Sequence, residues 1–100
     1  MEYKAGILPA AWEDLKQIED YYLLEFGEDS ALKVTSQILD AIELLEKFPD
    51  TSSRLPDDWL NDQGYRMIVS GGFVIIHKII DFNIFIYHIA NTQTEYTKLF

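Results

Sequence analysis

Residues 9–48 read PAAWEDLKQIEDYYLLEFGEDSALKVTSQILDAIELLEKF, and this stretch decides the fold. Its apolar residues recur every three or four positions on both sides of Gly27, which is the spacing of one face of a helix. Pro9 suits a first helical position, Gly27 ends the first helix, and Pro49 stops the second. Because so short a connection makes the helices run antiparallel, we predict a two-helix hairpin with facing apolar stripes.

The last third of the chain changes to the pattern of strands. Three runs rich in β-branched and aromatic residues, YRMIV, FVIIHKII and IFIYHIA, are separated by the turns SGG and DFN, which predicts a three-stranded antiparallel meander. Residues 2–8 predict a short strand before the helices, and residues 49–64, with two prolines and four aspartates, predict a loop. We therefore expect an α+β fold with an N-terminal strand, the helix hairpin on one side, and the middle run as a central strand.

Length and composition limit the kinds of function. One hundred residues with 48% apolar content suit a single domain spanning residues 1–100, with a core that needs no disulfide. The chain has no cysteine, and its start shows no signal peptide, so we expect a cytoplasmic protein that does not enter the membrane. A formal net charge of −9 argues against strong non-specific binding of nucleic acid. The sequence contains no nucleotide-binding motif, and we expect no cofactor.

The turn between the first two runs leaves two registers open. If all three residues of SGG form the turn, Tyr65 lies opposite His77; if only the two glycines turn, Arg66 lies there instead. A slip of one residue moves a side chain to the other face, so the register decides whether Arg66 and His77 share a surface. If DFN is a three-residue loop, Tyr87 lies on the other side of His77. The first register then gives a row Tyr65–His77–Tyr87.

Arg66 and His77 are the first candidates for a site. Arg66 suits a bidentate contact to a phosphate or a partner carboxylate, or alternatively an ion pair with an aspartate of the loop. His77 titrates near neutral pH and suits a general base, although a hydrogen-bonded, semi-buried strand histidine is the commoner case, and we favour it. His77 and His88 are expected on opposite faces with no carboxylate at useful spacing, so we predict no metal site.

Tyr96 and Lys98 follow the last predicted strand and are the other candidates. Near Arg66, a phenol that transfers protons and an ammonium that stabilises negative charge could cleave RNA. The alternative, which the sequence slightly favours, is that Tyr96 packs the tail against the sheet and leaves Lys98 in solvent.

The order and spacing of these pieces resemble the RelE/ParE toxin superfamily over nearly the whole chain. The likeness is carried by ILPAAWEDLKQIEDYYLLEFG, by LEKFP at the end of the second helix, and by YR entering a hairpin whose next strand reads FVIIHKI. The resemblance implies a toxin of a bacterial type II toxin–antitoxin module, of the kind associated with plasmid stabilisation. A small antitoxin neutralises such a toxin, which contacts DNA only through the antitoxin.

Two branches of that superfamily imply two targets. RelE-like members cleave mRNA in the ribosome without a metal, and ParE-like members poison DNA gyrase. Arg66 matches the arginine of the family's YR pattern, whereas His77 stands where a tyrosine is commoner. After the last strand, Asn91 replaces a histidine.

The tail also lacks basic residues that the resemblance would lead us to expect. Gln93 or Thr94 replaces an arginine, while Tyr96 is retained. Loss of a fixed cation from a metal-free cleaving site typically costs about 100-fold or more, and the acidic net charge disfavours a site lined by RNA. We therefore favour a ParE-like, gyrase-directed toxin, and leave its being an enzyme open. The alternatives are a ribosome-dependent endonuclease using Arg66, Tyr96 and Lys98 with help from His77, or a non-toxic relative that only binds antitoxin.

The charge also predicts the character of the antitoxin. For this acidic chain we expect a binding segment with apolar anchors and neutral or basic flanks, laid along the helix hairpin or the edge of the sheet.

Overall fold

The computed structural model describes residues 2–100. Its helices and strands, in chain order, are β1 (Lys4–Ile7), α1 (Pro9–Phe26), α2 (Glu28–Lys47), α3 (Asp58–Asp62), β2 (Arg66–Ser70), β3 (Phe73–Ile80) and β4 (Asn83–Asn91), with 3₁₀ turns at Pro49–Thr51 and Tyr96–Leu99. None of the helices in this part of the chain is long and apolar enough to cross a membrane.

The predicted helix hairpin is confirmed, and one residue connects its helices. Gly27 has φ 92°, a conformation that glycine adopts without steric cost. Its N–H donates to the carbonyl of Leu23, and its own carbonyl accepts from the N–H of Ala31, so it closes α1 and opens α2. The first turn of α2 is acidic and its last turn carries Lys47, charges that suit the helix dipole.

The four strands form one sheet in the order β1-β4-β3-β2. Strands β2, β3 and β4 make the predicted antiparallel meander, with β3 in the interior. β1 pairs parallel with β4, from Lys4 opposite Asn83 to Ile7 opposite Ile86. The α+β fold expected from the sequence is therefore confirmed.

The sheet is covered on one face and on part of the other. On one face, α1 and α2 pack on the strands around fully buried residues such as Ile38, Leu45 and Ile75. We call the smaller cluster on the other face the second cluster; it consists of Leu55, Leu60, Val74, Ile76 and Ala90, with Tyr65, Met67, Tyr96 and Leu99 packed against it. The segment 49–64, predicted as a loop, thus contains a helix and covers one end of the sheet.

The register of β2 on β3 is the second of the two alternatives. Ser70 pairs with Phe73 and Arg66 pairs with His77, so only Gly71 and Gly72 form the turn. Gly71 has φ 60°, which a two-residue hairpin turn requires.

The prediction for the DFN turn was wrong. Only Asp81 and Phe82 turn, because Asp81 takes up the left-handed conformation, with φ 55°, that a two-residue hairpin needs. This shorter turn places His77 opposite Ile86 instead of Tyr87, and a register shift between Ile76 and His77 then pairs Ile76 with His88. The bulge leaves Tyr87 without a direct partner on β3.

Candidate functional site

Arg66 begins β2, and its guanidinium folds back onto the main chain. Its Nη1 donates to the carbonyl oxygen of Asn61 (3.2 Å), near the C-terminal end of α3, and to that of Tyr65 (2.7 Å), directly before β2. Within residues 2–100, no carboxylate lies within 4.0 Å of Arg66. The ion pair with a loop aspartate, one of the two alternatives for Arg66, is not formed, and contacts to carbonyls take its place.

His77 is fully buried and hydrogen-bonded through both ring nitrogens. Nδ1 donates to the carbonyl of Ile75 at 3.0 Å, so Nε2 accepts from the hydroxyl of Ser52 at 2.8 Å. Burial lowers the pKa of His77, and the charge of Arg66 lowers it further, against the opposing effect of the Ile75 carbonyl. The imidazole is therefore neutral and enclosed, with no face of its ring exposed to solvent.

The buried His77 makes stability depend on pH. Its folded pKa lies below the ordinary value of 6.5, so the unfolded chain binds the proton first as the pH falls. We expect stability to decrease from about pH 6.5 down to the folded pKa, with no further loss from this group below it. Urea unfolding of wild type and His77→Gln between pH 7.5 and 4.5 measures the pH dependence of stability that His77 causes. Because both proteins contain His88, its contribution cancels in the comparison. Parallel pH curves for the two proteins would contradict the assignment.

The tail after β4 is ordered against the sheet. The side chain of Asn91 accepts from the N–H of Gln93 (2.8 Å), and the N–H of Thr94 donates to the carbonyl of Asn91. Tyr96 packs on the second cluster and donates its hydroxyl to the carbonyl of Thr92 (3.2 Å). The uncharged residues Asn91, Gln93 and Thr94 thus shape the turn that carries the tail.

Lys98 lies on the outside of this tail. Its ammonium pairs with Glu95 at 3.2 Å, and both side chains are about three-quarters exposed, at 77% and 71%. Of the four sequence-predicted residues, the structure brings Arg66 and His77 together as register partners. It commits Tyr96 to packing and Lys98 to an exposed ion pair. Their catalytic roles stay predictions.

One polar link was missed by the sequence analysis. Asp14 of α1 accepts hydrogen bonds from His88 Nδ1 (2.8 Å) and from the N–H of Ile89 (3.0 Å) through one carboxylate oxygen. This link joins the first helix to the last strand. The partners are so far apart in sequence that no local pattern points to the contact.

An aromatic group with a central lysine was foreseen only in part. Lys78 Nζ lies 4.4 Å from the ring centroid of Tyr65 and 5.6 Å from that of Tyr87, and the two rings are 5.1 Å apart. We call these three residues the Lys78 cluster. The first register predicted the row Tyr65–His77–Tyr87. The structure brings the two tyrosines together, but the residue between them is Lys78 and not His77.

A groove of about 840 Å³ runs between α2 and the edge strand β2. Its apolar lining includes Leu32, Leu44 and Val69, which are 67%, 46% and 53% exposed. Asp29 and Asp40 make it acidic, with Lys33 as the basic residue of the lining. Within the described residues, no group of three or more histidine, aspartate or glutamate side chains is placed to hold a metal.

Comparisons with known proteins agree with this architecture. Residues 7–96 match the family described as "ParE toxin of type II toxin-antitoxin system, parDE". A chain of the chromosomal ParDE toxin–antitoxin system from P. aeruginosa superposes with a TM-score of 0.78 at 20% identity, covering 93% of this chain and 98% of that one. A chain of the RelBE2 toxin–antitoxin complex from Mycobacterium tuberculosis gives 0.68 at 13% identity, covering 91% and 99%. Among curated protein sequences, none matches this chain.

Proposed function

The chain belongs to the ParE toxin family of type II toxin–antitoxin systems, and from this premise we propose that it stops growth by protein contact with DNA gyrase rather than by RNA cleavage. The match to a ParE family supports this target, because the resemblance described above associates ParE-like members with DNA gyrase. Inhibition by contact needs a binding surface and no assembled set of catalytic groups.

The contacts and burial of the candidate basic side chains are the main support for this proposal. A metal-free cleaving site must hold free cations where negative charge develops. Arg66 is engaged by two carbonyls, Lys98 by Glu95, and His77 is buried. Asn91, at a position that is usually basic in relatives, is uncharged. These contacts favour a non-enzymatic toxin.

We further propose that a cognate antitoxin neutralises the chain by occupying the groove between α2 and β2. The apolar residues of the groove suit the anchors of a partner segment, and the two aspartates suit basic flanks. An acidic body with net charge −9 strengthens attraction to such a segment.

The edge of β2 offers main-chain bonds to the same segment. Met67 and Ser53 exchange two hydrogen bonds, of 2.8 and 2.9 Å, on the outer side of β2. Alternate residues of a strand direct their main-chain groups to the same side, so those of Val69 point outward just beyond this bridge. A partner strand laid there would continue the sheet beside the groove.

Induced expression of the chain alone in bacteria tests the target. With DNA and protein synthesis followed by pulse labelling, we expect DNA synthesis to stop first. Lys98→Ala should leave growth inhibition unchanged, whereas a cleaving enzyme that loses a fixed cation would weaken about 100-fold or more. An early arrest of translation, lost in Lys98→Ala, would instead identify the endonuclease. If growth, DNA synthesis and protein synthesis all continue, the chain is the non-toxic relative that only binds antitoxin.

A further inference from the structure

The second face of the sheet is covered at only one end. Segment 49–64 and the tail cover the end where Val74, Ile76 and Ala90 are buried. Toward the other end, Lys78 and its register partner Phe85 are half-buried, and Ile80 is 50% exposed. The Lys78 cluster stands at the boundary between the covered and the open part.

The ammonium of Lys78 lacks an acidic partner in an acidic protein. Among residues 2–100, no carboxylate oxygen lies within 4.0 Å of it, although the chain has 17 acidic residues against 8 basic ones. It rests instead over the face of Tyr65, with Tyr87 beside it, and in the part of the chain that the structure describes its N–H groups have no hydrogen-bond acceptor.

The two phenols add further unused donors. Within the described residues, the hydroxyl groups of Tyr65 and Tyr87 have no hydrogen-bond partner, in contrast to the hydroxyl of Tyr96. No buried side-chain oxygen or nitrogen there lacks a partner, so both free hydroxyls are open to solvent. Burial, and then the neighbouring Tyr87, raise the pKa of Tyr65, which keeps its hydroxyl protonated at neutral pH. The cluster therefore offers one ammonium and two O–H donors at an apolar rim.

We propose that the Lys78 cluster binds an aspartate or glutamate side chain of the toxin's protein target, with the open apolar end of the sheet face packed around it. A carboxylate complements the three donors, and a partly desolvated ammonium–carboxylate contact is stronger than one on an open surface. A single ammonium on a chain of net charge −9 suits one carboxylate rather than the repeated phosphates of nucleic acid. This inference rests on the proposed contact mechanism and adds the surface and the partner chemistry.

The experiment compares Lys78→Glu with Lys16→Glu, which makes the same charge change at an exposed position on α1. Purified DNA gyrase is the probe, with toxin affinity measured by calorimetry and folding checked by thermal unfolding. We expect Lys78→Glu to bind at least tenfold more weakly than wild type, Lys78→Arg to stay within about threefold, and Lys16→Glu to match wild type. Tyr87→Phe, which keeps the ring, should bind several-fold more weakly and serves if Lys78→Glu does not fold.

Growth inhibition separates failure of this inference from failure of the gyrase proposal. If wild type does not bind gyrase, the proposed target is wrong, and growth inhibition by the same variants then decides about the cluster. Lost toxicity in Lys78→Glu but not in Lys16→Glu supports the cluster as the target contact. Unchanged gyrase binding or unchanged toxicity in folded Lys78→Glu overturns it. So does a Lys78→Glu effect confined to binding of single-stranded RNA, since the ligand would then be a phosphate.

Discussion

Asn61→Ala should lower the free energy of unfolding by about 2–6 kcal/mol, because it leaves two buried main-chain groups without partners at about 1–3 kcal/mol each. The Asn61 side chain, 6% exposed, accepts from the N–H of Leu55 (2.8 Å) and donates to the carbonyl of the same residue (2.7 Å). Leu55 is itself buried in the second cluster. A cost of this size is a large part of the roughly 5–15 kcal/mol that stabilises a typical domain.

Urea unfolding at pH 7.5 measures the effect, with Gln63→Ala as the matched control. Gln63 caps the same short helix through its main chain, and its side chain is exposed. Removing this side chain should therefore change the free energy of unfolding by less than about 0.5 kcal/mol. We also expect faster proteolysis within residues 49–64 in Asn61→Ala. A typical hydrogen bond contributes about 1 kcal/mol net to the free energy of unfolding. If the two variants differ in this free energy by less than about 1 kcal/mol, the Asn61 side chain does not anchor the segment.

Leu44→Asp should weaken antitoxin binding by about 100-fold or more, which corresponds to about 2.7 kcal/mol. Leu44 is 46% exposed on the wall of the groove between α2 and β2, close to Asp40. The change removes an apolar anchor and adds a charge that must be desolvated under the partner. Because Leu44 is not part of the buried core, the variant should unfold near the temperature of wild type.

Leu24→Asp provides the control for this prediction. Leu24 is 85% exposed on α1, outside the groove, and the substitution is chemically identical. Calorimetry with the antitoxin should give wild-type affinity for Leu24→Asp, and the wild-type complex should tighten as salt is lowered. Equal affinities of the two variants would exclude the groove as the antitoxin site, and an antitoxin segment rich in acidic residues would contradict the proposed complementarity.

The hairpin of α1 and α2 was predictable because its determinants are local. The apolar spacing within each helix and a glycine at the single connecting residue act over a few neighbouring positions. The three strands of the meander were predictable for the same reason. The parallel pairing of β1 with β4 was not, because nothing in residues 4–7 distinguishes one edge of the sheet from the other.

The details of the site depended on conformations that residue type does not determine. Asp81 adopted a left-handed conformation and shortened a turn, which placed His77 opposite Ile86, and a bulge left Tyr87 without a direct partner on β3. The partners of Arg66 are carbonyls, which every residue of the loop carries, so composition could suggest the loop aspartates as one alternative but could not reveal this contact. The identity of the candidate residues could thus be predicted, but their partners required the register and the course of the loop.

The pairing of β1 with β4 also bears on the synthesis of the toxin. Lys4 reaches its partner Asn83 only when nearly the entire chain has left the ribosome, and the helix hairpin needs β3 and β4 to cover its apolar stripe. Sheets closed by contacts so distant in sequence form late in folding. We therefore expect a nascent chain that stops before β4 to have neither a complete core nor the strand that carries Tyr87.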